Sequence, residues 1–527
     1  MQSSVTPYGT SHSLCSPPPR ACLAGCWASS AARQSTSAPC PPPEPDDPLT
    51  LAIQATAASR ADTAKTPPTP AGLQTRVAPH STAPNSCPRR SSAAPSPKRD
   101  KPGPPANPAQ SGASYYFLSE ALTVDVYQLL VDRGWRRSGN IFYKPDVLRH
   151  CCPHYTIRLP AASFKPSKDQ RRAINHWNDH VLGESYMKDA ARLHPLSKEE
   201  KARLKNTFDL VREVHKAELP NVKQPPEPAH RFEVTLEPAD FSAEKYDLFK
   251  NYQQTVHKES PDEISQAGFK RFLCLSPLKH TSRTVNGKEQ LLGSYHQCYR
   301  LDGRLIAMGV LDLLPHCVSG VYMLYHSDFA EWQFGKLSAL REAALALEGG
   351  YEYYYMGYYI HSCTKMKYKG DYKTQYILDP ESYEWHPLDA ELRSLLDKKK
   401  YVSMSRERRR QAEKAAQKDE ASDADAAEQD DYSDYPLPTA AQAGKAVKKG
   451  MSLFDLKVPG LMTAQEVEEK IDLATMPIRV GNGTAELQDL VSWETSDLRN
   501  PRTIKGTVGE MLAAMGPEVA WQIVLQL

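Results

Sequence analysis

From Leu118 to Asp132 apolar side chains recur at helical spacing, with Leu122, Val126, Leu129 and Leu130 on one face. The block Arg133-Gly134-Trp135-Arg136-Arg137-Ser138-Gly139 breaks that period and leads into a strand around Ile141-Phe142-Tyr143. Asp169 to Leu182 and Lys198 to Glu218 return to the helical repeat, the second with a strongly charged outer face. Pro220 to Pro228 reads as a linker, and Arg231 to Leu236 alternates like a strand. Lys245 to His257 is expected as a helix. Gly293 to Arg300 and Leu305 to Asp312 are expected strands around Asp302-Gly303, a dipeptide that favours the positive φ of a tight hairpin turn. Val318 to Tyr325 predicts a strand, Phe334 to Leu347 an amphipathic helix and Tyr351 to Ile360 a further strand. Hairpin, strand, helix and strand in that order predict an α/β (α+β) protein with a mixed sheet flanked by helices. Acetyltransferase-type acyltransferases are built in this way, although a fold analogy alone assigns no activity.

Composition changes the picture at the ends of this segment. Residues 1–112 are dominated by Pro, Ala, Ser and Thr, too poor in large apolar residues to offset chain entropy, and are expected to form a disordered tail. Their scarcity of acidic residues suits a transit peptide, but their proline richness and few arginines do not. The expected organisation is then an N-terminal domain at 113–235, a catalytic domain at 236–395, a charged low-complexity linker at 396–450 and a small C-terminal segment at 451–527 packing on the catalytic region. The net charge of +2 over 527 residues excludes coating of nucleic acid by bulk charge and leaves a local basic groove open. Eleven cysteines, five of them in the tail, are too sparse for a disulfide scaffold. No run approaches the roughly 20 apolar residues that span a bilayer, so no membrane partner is expected.

Three constellations offer chemistry. In Gly268-Phe269-Lys270-Arg271-Phe272-Leu273-Cys274 two cations between aromatics suit a phosphate or carboxylate; the plainer account is an amphipathic strand with its charges in water. The tract Tyr351 to Cys363 holds six tyrosines in nine residues and runs into Lys365, Lys367 and Lys369. Buried phenols need partners, Gly357 in mid-strand signals a bulge or a close ligand, and the lysines add phosphate-binding charge, although tyrosine also simply favours strands. In His150-Cys151-Cys152-Pro153-His154 the soft ligands could serve zinc or an iron–sulfur cluster, or be buried structural thiols. No phosphate-binding Gly-rich loop, His-Glu-x-x-His or nucleophile elbow is present.

These blocks together resemble the eukaryotic arginyl-tRNA–protein transferases, with fungal members looking closest. The resemblance runs through Leu122 to Gln128, Asp132 to Gly139, Cys151 to Leu159, the Gly268 heptad, Gly293 to Gln297, Leu311 to Pro315, Ser338 to Glu342 and the tyrosine tract to Tyr383-Glu384-Trp385-His386-Pro387. It covers about residues 115–390 and implies an acetyltransferase-like catalytic region. The implied activity moves arginine from Arg-tRNA to the α-amino group of proteins beginning with Asp or Glu, marking them for ubiquitin-dependent degradation. The implied location is the cytoplasm, with the nucleus also open, and no cofactor is required. The family carries a Cys-x2-Cys pair just before the segment matching Ser114 to Leu122, thought to complete a metal or iron–sulfur site with the Cys-Cys unit. Pro102 to Gly112 contains no cysteine, so Cys151 and Cys152 supply only half of that set.

An aminoacyl ester is already activated, so positioning and oxyanion stabilisation can carry the reaction, with a general base as a modest aid. His296, Asp312 and His361 are the candidate bases. Lys270, Arg271 and Arg341 are candidates for the acceptor's carboxylate, and Asp312 or Glu342 for the incoming arginine. Tyr355, Tyr358 and Tyr359 are expected to stack on the terminal adenosine, with Lys365, Lys367 and Lys369 on its phosphates; Arg133, Arg136 and Arg137 either extend that track or are plain surface charge. A non-catalytic module binding tRNA or acidic N-termini is the alternative. An acyltransferase using pantetheine ranks lower, since Ser327 to Gln333 lacks a Gly-rich pyrophosphate loop.

Overall fold

The computed structural model describes residues 50–52, 113–417, 432–480 and 483–526. The tail expected over 1–112 lies outside these residues except for Thr50–Ala52, a short strand whose backbone pairs with the next strand and with the chain end. Strand β1 (Ser114–Ser119) takes the first part of the expected helix, and α1 spans Val124–Asp132. The boundary is set by Thr123, whose side chain accepts from the Val126 N–H and caps the helix there. β2 (Arg136–Ser138) and β3 (Ile141–Pro145) follow as an antiparallel pair, and β4 (Tyr155–Pro160) departs to a second sheet.

Helix α2 (Lys168–Leu182) begins at a capping box on Ser167 and ends at Gly183. The helix expected over Lys198–Glu218 is two, Lys198–Asn206 and Leu210–His215, because Asp209 caps a fresh start. β5 (Phe232–Pro238), β6 (Lys288–Leu301), β7 (Arg304–Leu314) and β8 (Cys317–Tyr325) then form an antiparallel run. Asp302 and Gly303 turn the β6–β7 hairpin with φ of +52° and +81°, the positive pair that the sequence predicts. The Gly268 heptad is helical, not a strand: Gln266–Phe269 is one α-turn and Lys270–Cys274 a wider one. This conformation puts Phe269 and Leu273, four residues apart, into an apolar patch with Leu248 and Phe249, while Lys270 and Arg271 face water.

Helix α3 (Phe334–Glu348) carries the chain back so that β9 (Tyr353–Tyr359) lies parallel to β8, the connection that parallel strands require. On its other edge β9 pairs antiparallel with β4, and β10 (Tyr376–Leu378) and β11 (Trp385–Pro387) follow. The sheet order is β11-β10-β4-β9-β8-β7-β6-β5, and Thr281–Val285 on β6 makes nine strands. Because β4 sits between β10 and β9, the border expected at 235/236 runs through one shared sheet and one shared core. The C-terminal segment likewise does more than pack against its neighbours. Its strands Pro477–Val480, Gly483–Glu486 and Val524–Gln526 share a seven-stranded sheet with β1, β2 and β3. Within the expected linker, Met404–Gln417 and Ala440–Lys448 are helices, and 418–431 lie outside the described residues. Among the described residues no helix is long and apolar enough to cross a membrane.

Candidate functional site

Strands β8 and β9 pair at only three positions, Cys317 with Tyr353, Val318 with Tyr354 and Ser319 with Tyr355. Beyond these each strand keeps to its outer neighbour, β8 to β7 and β9 to β4. Both shift register where they part, β8 between Gly320 and Tyr322 and β9 between Tyr355 and Tyr358. The second is the bulge expected at Gly357, whose φ of +73° strains any residue with a side chain. A Cβ on Gly357 would stand 3.7 Å from the Gly320 carbonyl oxygen and 3.8 Å from Lys369 Nζ. The sheet therefore opens between two glycine-bearing bulges.

Glu342 reaches this opening from α3. Its Oε2 stands 2.9 Å from where a Cβ on Gly320 would lie, and its Oε1 3.5 Å from the same point on Gly309. Burial raises the Glu342 pKa to about 7, an effect that the Tyr354 hydrogen bond and the Lys369 charge offset only in part. Lys369 Nζ donates to the carbonyls of Met356 (2.7 Å) and Tyr358 (3.0 Å) on the bulge, with its third N–H unused. Burial, and then the Arg136 charge, lower its pKa to about 8, against the pull of Glu342. A carboxyl and an amine with pKa values shifted toward neutrality thus both face the break in the sheet, a combination typical of working sites.

The tyrosines are corrected. Tyr355 and Tyr359 are fully buried and Tyr358 nearly so. The Tyr355 hydroxyl donates to Asp132, Tyr358 to the Gly134 carbonyl at 2.9 Å, and Tyr359 meets His361 Nδ1 at 2.6 Å. β9 is a central strand with both faces covered, so these rings are core with satisfied phenols and present no stacking surface for a base. The strand alternation puts Tyr354 toward Glu342 and Tyr355 toward α1.

Among the candidate bases, Asp312 lies opposite Ser319 at the head of the opening, but its carboxylate is closed off. Arg137 grips it from two nitrogens at 2.5 and 2.8 Å and Ser294 Oγ donates at 2.7 Å, all of them buried. This leaves it no place for a base's work or for an incoming arginine. His296 lies on β6, two strands from the opening, holding the Leu273 carbonyl at 3.0 Å, and burial lowers its pKa to about 4. His361, just past β9, is held between Tyr359 and Asp397 (2.7 Å). Among the cations, Lys270 stands over the Phe241 ring at 4.3 Å, and Arg341 is buried on Glu218, with burial lowering its pKa to about 10. Neither is brought to the opening. Lys365 and Lys367 are exposed, the latter 3.6 Å from Asp397. Glu342 and Lys369 are the predicted acid and cation that the fold brings to the opening, while Tyr359, His361 and Lys367 meet one another at the end of β9.

One neighbour was predicted only for a phosphate track. Arg136, on β2, is 6% exposed, and its guanidinium lies over Tyr358 (5.3 Å) and Tyr355 (5.9 Å). Tyr354 and Gly320 were missed outright; Gly309, Gly320 and Gly357, glycines inside strands, were the available signal.

Cys151 and Cys152 are half-buried thiols, with His150 Nδ1 3.8 Å from Cys151 Sγ and the His150 and His154 rings 4.3 Å apart. Among the described residues no three His, Cys, Asp or Glu side chains gather so as to hold a metal ion. The described residues do not by themselves make the expected centre.

A mixed sheet with one parallel crossover, opened over a proton-exchanging carboxyl and amine, is the framework of a group-transfer enzyme. Residues 102–172 match the family profile described as arginine-tRNA-protein transferase, N terminus, and residues 244–379 the one described as arginine-tRNA-protein transferase, C terminus. Arginyl-tRNA–protein transferase 2 of Arabidopsis thaliana is 28% identical over 447 residues, covering 55% of this chain and 74% of that protein. Arginyl-tRNA–protein transferase 1 of Saccharomyces cerevisiae is 34% identical over 285 residues, 51% of this chain and 52% of that one. The aspartate/glutamate leucyltransferase of Pseudomonas fluorescens is 27% identical over 263 residues, 50% of this chain and 84% of that one. The chain belongs to the arginyl-tRNA–protein transferase family.

Proposed function

We propose that this chain transfers arginine from Arg-tRNA to the α-amino group of proteins beginning with Asp or Glu, in the cytoplasm or nucleus and without a cofactor, marking them for ubiquitin-dependent degradation. Family membership supports the transfer, and the acceptor named for the Pseudomonas relative supports the acidic first residue. The observation that carries the chemistry is the Glu342–Lys369 pair at the break in the sheet. An N-terminal amine has a pKa of about 7.7–8, so much of it is neutral when Glu342 is ionised. The amine nitrogen attacks the ester carbonyl and Glu342 takes the proton it sheds. The unused Lys369 N–H steadies the tetrahedral oxyanion. Glu342 then returns the proton to the ribose oxygen as the carbon–oxygen bond breaks.

Single-turnover transfer of labelled arginine to an Asp-starting peptide tests this. Glu342→Gln should slow the step by about 10² or more and abolish the rise in rate through about pH 7 that the Glu342 pKa sets. An unchanged rate and pH profile would sink the assignment. Arg-tRNA binding with no peptide product from the intact protein would instead favour the non-catalytic binding module.

A further inference from the structure

Arg136 is buried without a counterion. Its Nη1 donates to the backbone carbonyls of Trp135 (2.7 Å) and Val131 (3.3 Å), which fix the plane of the guanidinium. Its Nε and Nη2 are enclosed and have no partner, and no carboxylate lies within ion-pair distance among the described residues. Leaving a buried cation unpaired is costly, and each unmade hydrogen bond adds to the cost. Tyr355 and Tyr358 face the cation with their rings, but ring faces cannot accept both in-plane N–H groups. The two idle groups form one side of the guanidinium fork, the side that takes a carboxylate through two parallel hydrogen bonds.

The position matches the chemistry. Arg136 stands over Tyr355 and Tyr358, the residues on either side of the bulge at Gly357, and Lys369 holds the Met356 and Tyr358 carbonyls of that same bulge. A residue whose side-chain carboxylate met Arg136 would have its own backbone amine only a few bonds away, beside the bulge that Lys369 holds.

We propose that the Nε–Nη2 edge of Arg136 receives the side-chain carboxylate of the acceptor's first residue and so selects Asp or Glu. This rests on the acceptor reading above. Asparagine would offer the edge one neutral oxygen and an amide that repels it, leaving the buried cation uncompensated, and this is the kind of site that rejects a near-isostere strongly. A tRNA phosphate suits the edge less. Phosphate contacts track an exposed backbone, and this guanidinium is buried against the Tyr355 and Tyr358 rings.

The test compares peptides starting with Asp and with Asn on the intact protein, by calorimetric binding without tRNA and by steady-state transfer. Wild type should bind the Asp peptide more tightly by roughly tenfold or more, the weight of a charge-assisted hydrogen bond. Arg136→Met should erase that preference and raise KM for the Asp peptide by a similar factor, with KM for Arg-tRNA unchanged. Arg136→Lys keeps the charge without the fork and should recover part of the preference. If Arg136→Met does not fold, the Arg136→Lys preference decides by itself: unchanged selectivity overturns the proposal. A raised KM for Arg-tRNA with the Asp preference intact would overturn it in favour of phosphate contact. Unchanged values throughout would leave Arg136 a packing residue and overturn it too. If wild type itself does not distinguish Asp from Asn, the acceptor reading fails, and the proposal falls with it before any variant is made.

Discussion

Arg136 and Arg137 follow one another on β2, yet only one of them is saturated. Arg137 is held by Asp312, Ser294 and two backbone carbonyls, those of Gly139 and Leu275, in a closed buried network. Arg136 turns the other way, as strand alternation requires, and meets tyrosine rings and two carbonyls but no carboxylate. Both are nearly inaccessible to water, so burial alone does not separate structure from function. The difference is whether the hydrogen-bonding capacity of the charge is used up within the fold. A saturated buried ion pair holds β2 against β6 and β7. A buried cation left unsaturated carries a cost that a ligand can relieve.

The largest expected effect breaks the saturated side. Arg137→Met leaves Asp312 buried and unpaired and should cost about 3–5 kcal/mol in urea denaturation, while Arg137→Met combined with Asp312→Leu should recover most of it. A single variant as stable as wild type would remove Asp312 from the structural network.

Next is Glu342, on the far side of the opening. Its folded pKa, about 7, lies above the ordinary 4.5. Between those values the folded state holds a proton that the unfolded chain has released, so its contribution to stability is greatest below 4.5 and is lost as pH rises through 7. Glu342→Gln should therefore be more stable than wild type at pH 8, by on the order of 2 kcal/mol, with the gap closing toward pH 5. A constant gap across that range would contradict the raised value.

Tyr355→Phe tests whether the tyrosine strand belongs with Arg137 rather than with Arg136. Losing the hydroxyl that donates to Asp132 should cost about 1–2 kcal/mol of stability and leave kcat unchanged; a fall in kcat at unchanged stability would return the ring to the site. The smallest effect is expected for Arg136→Met. With no ion pair to lose, its unfolding free energy should stay within about 0.5 kcal/mol of wild type or rise, the opposite of its neighbour. A loss as large as that of Arg137→Met would show that Arg136 is structural after all.

Several elements were legible in advance because local rules decide them. The Asp302-Gly303 turn, helix α2, helix α3 and the bulge at Gly357 follow from φ preferences, capping residues and hydrophobic period. The sequence points to Glu342 and Lys369 as site residues, though for binding roles: Lys369 lies in the tyrosine tract and Glu342 in the Ser338–Glu342 block. The Gly268 heptad was misjudged because seven residues with apolar ends fit a strand or a helical turn equally well until a partner patch chooses. Tyr355, Tyr358 and Tyr359 were misjudged because a phenol's partner can be hundreds of residues away: Tyr355 and Asp132 are 223 positions apart.

The sequence by itself determined that there would be a hairpin, a strand–helix–strand crossover and a glycine-weakened tyrosine strand, and which family the chain resembles. Only the tertiary structure decided that β4 would enter the catalytic sheet, that Asp312 would be closed by Arg137, and that Arg136 would be buried with one edge unpaired. Local sequence fixes backbone dihedrals and which faces are apolar. Whether a buried charge finds a partner depends on contacts between distant segments, and no local pattern encodes these.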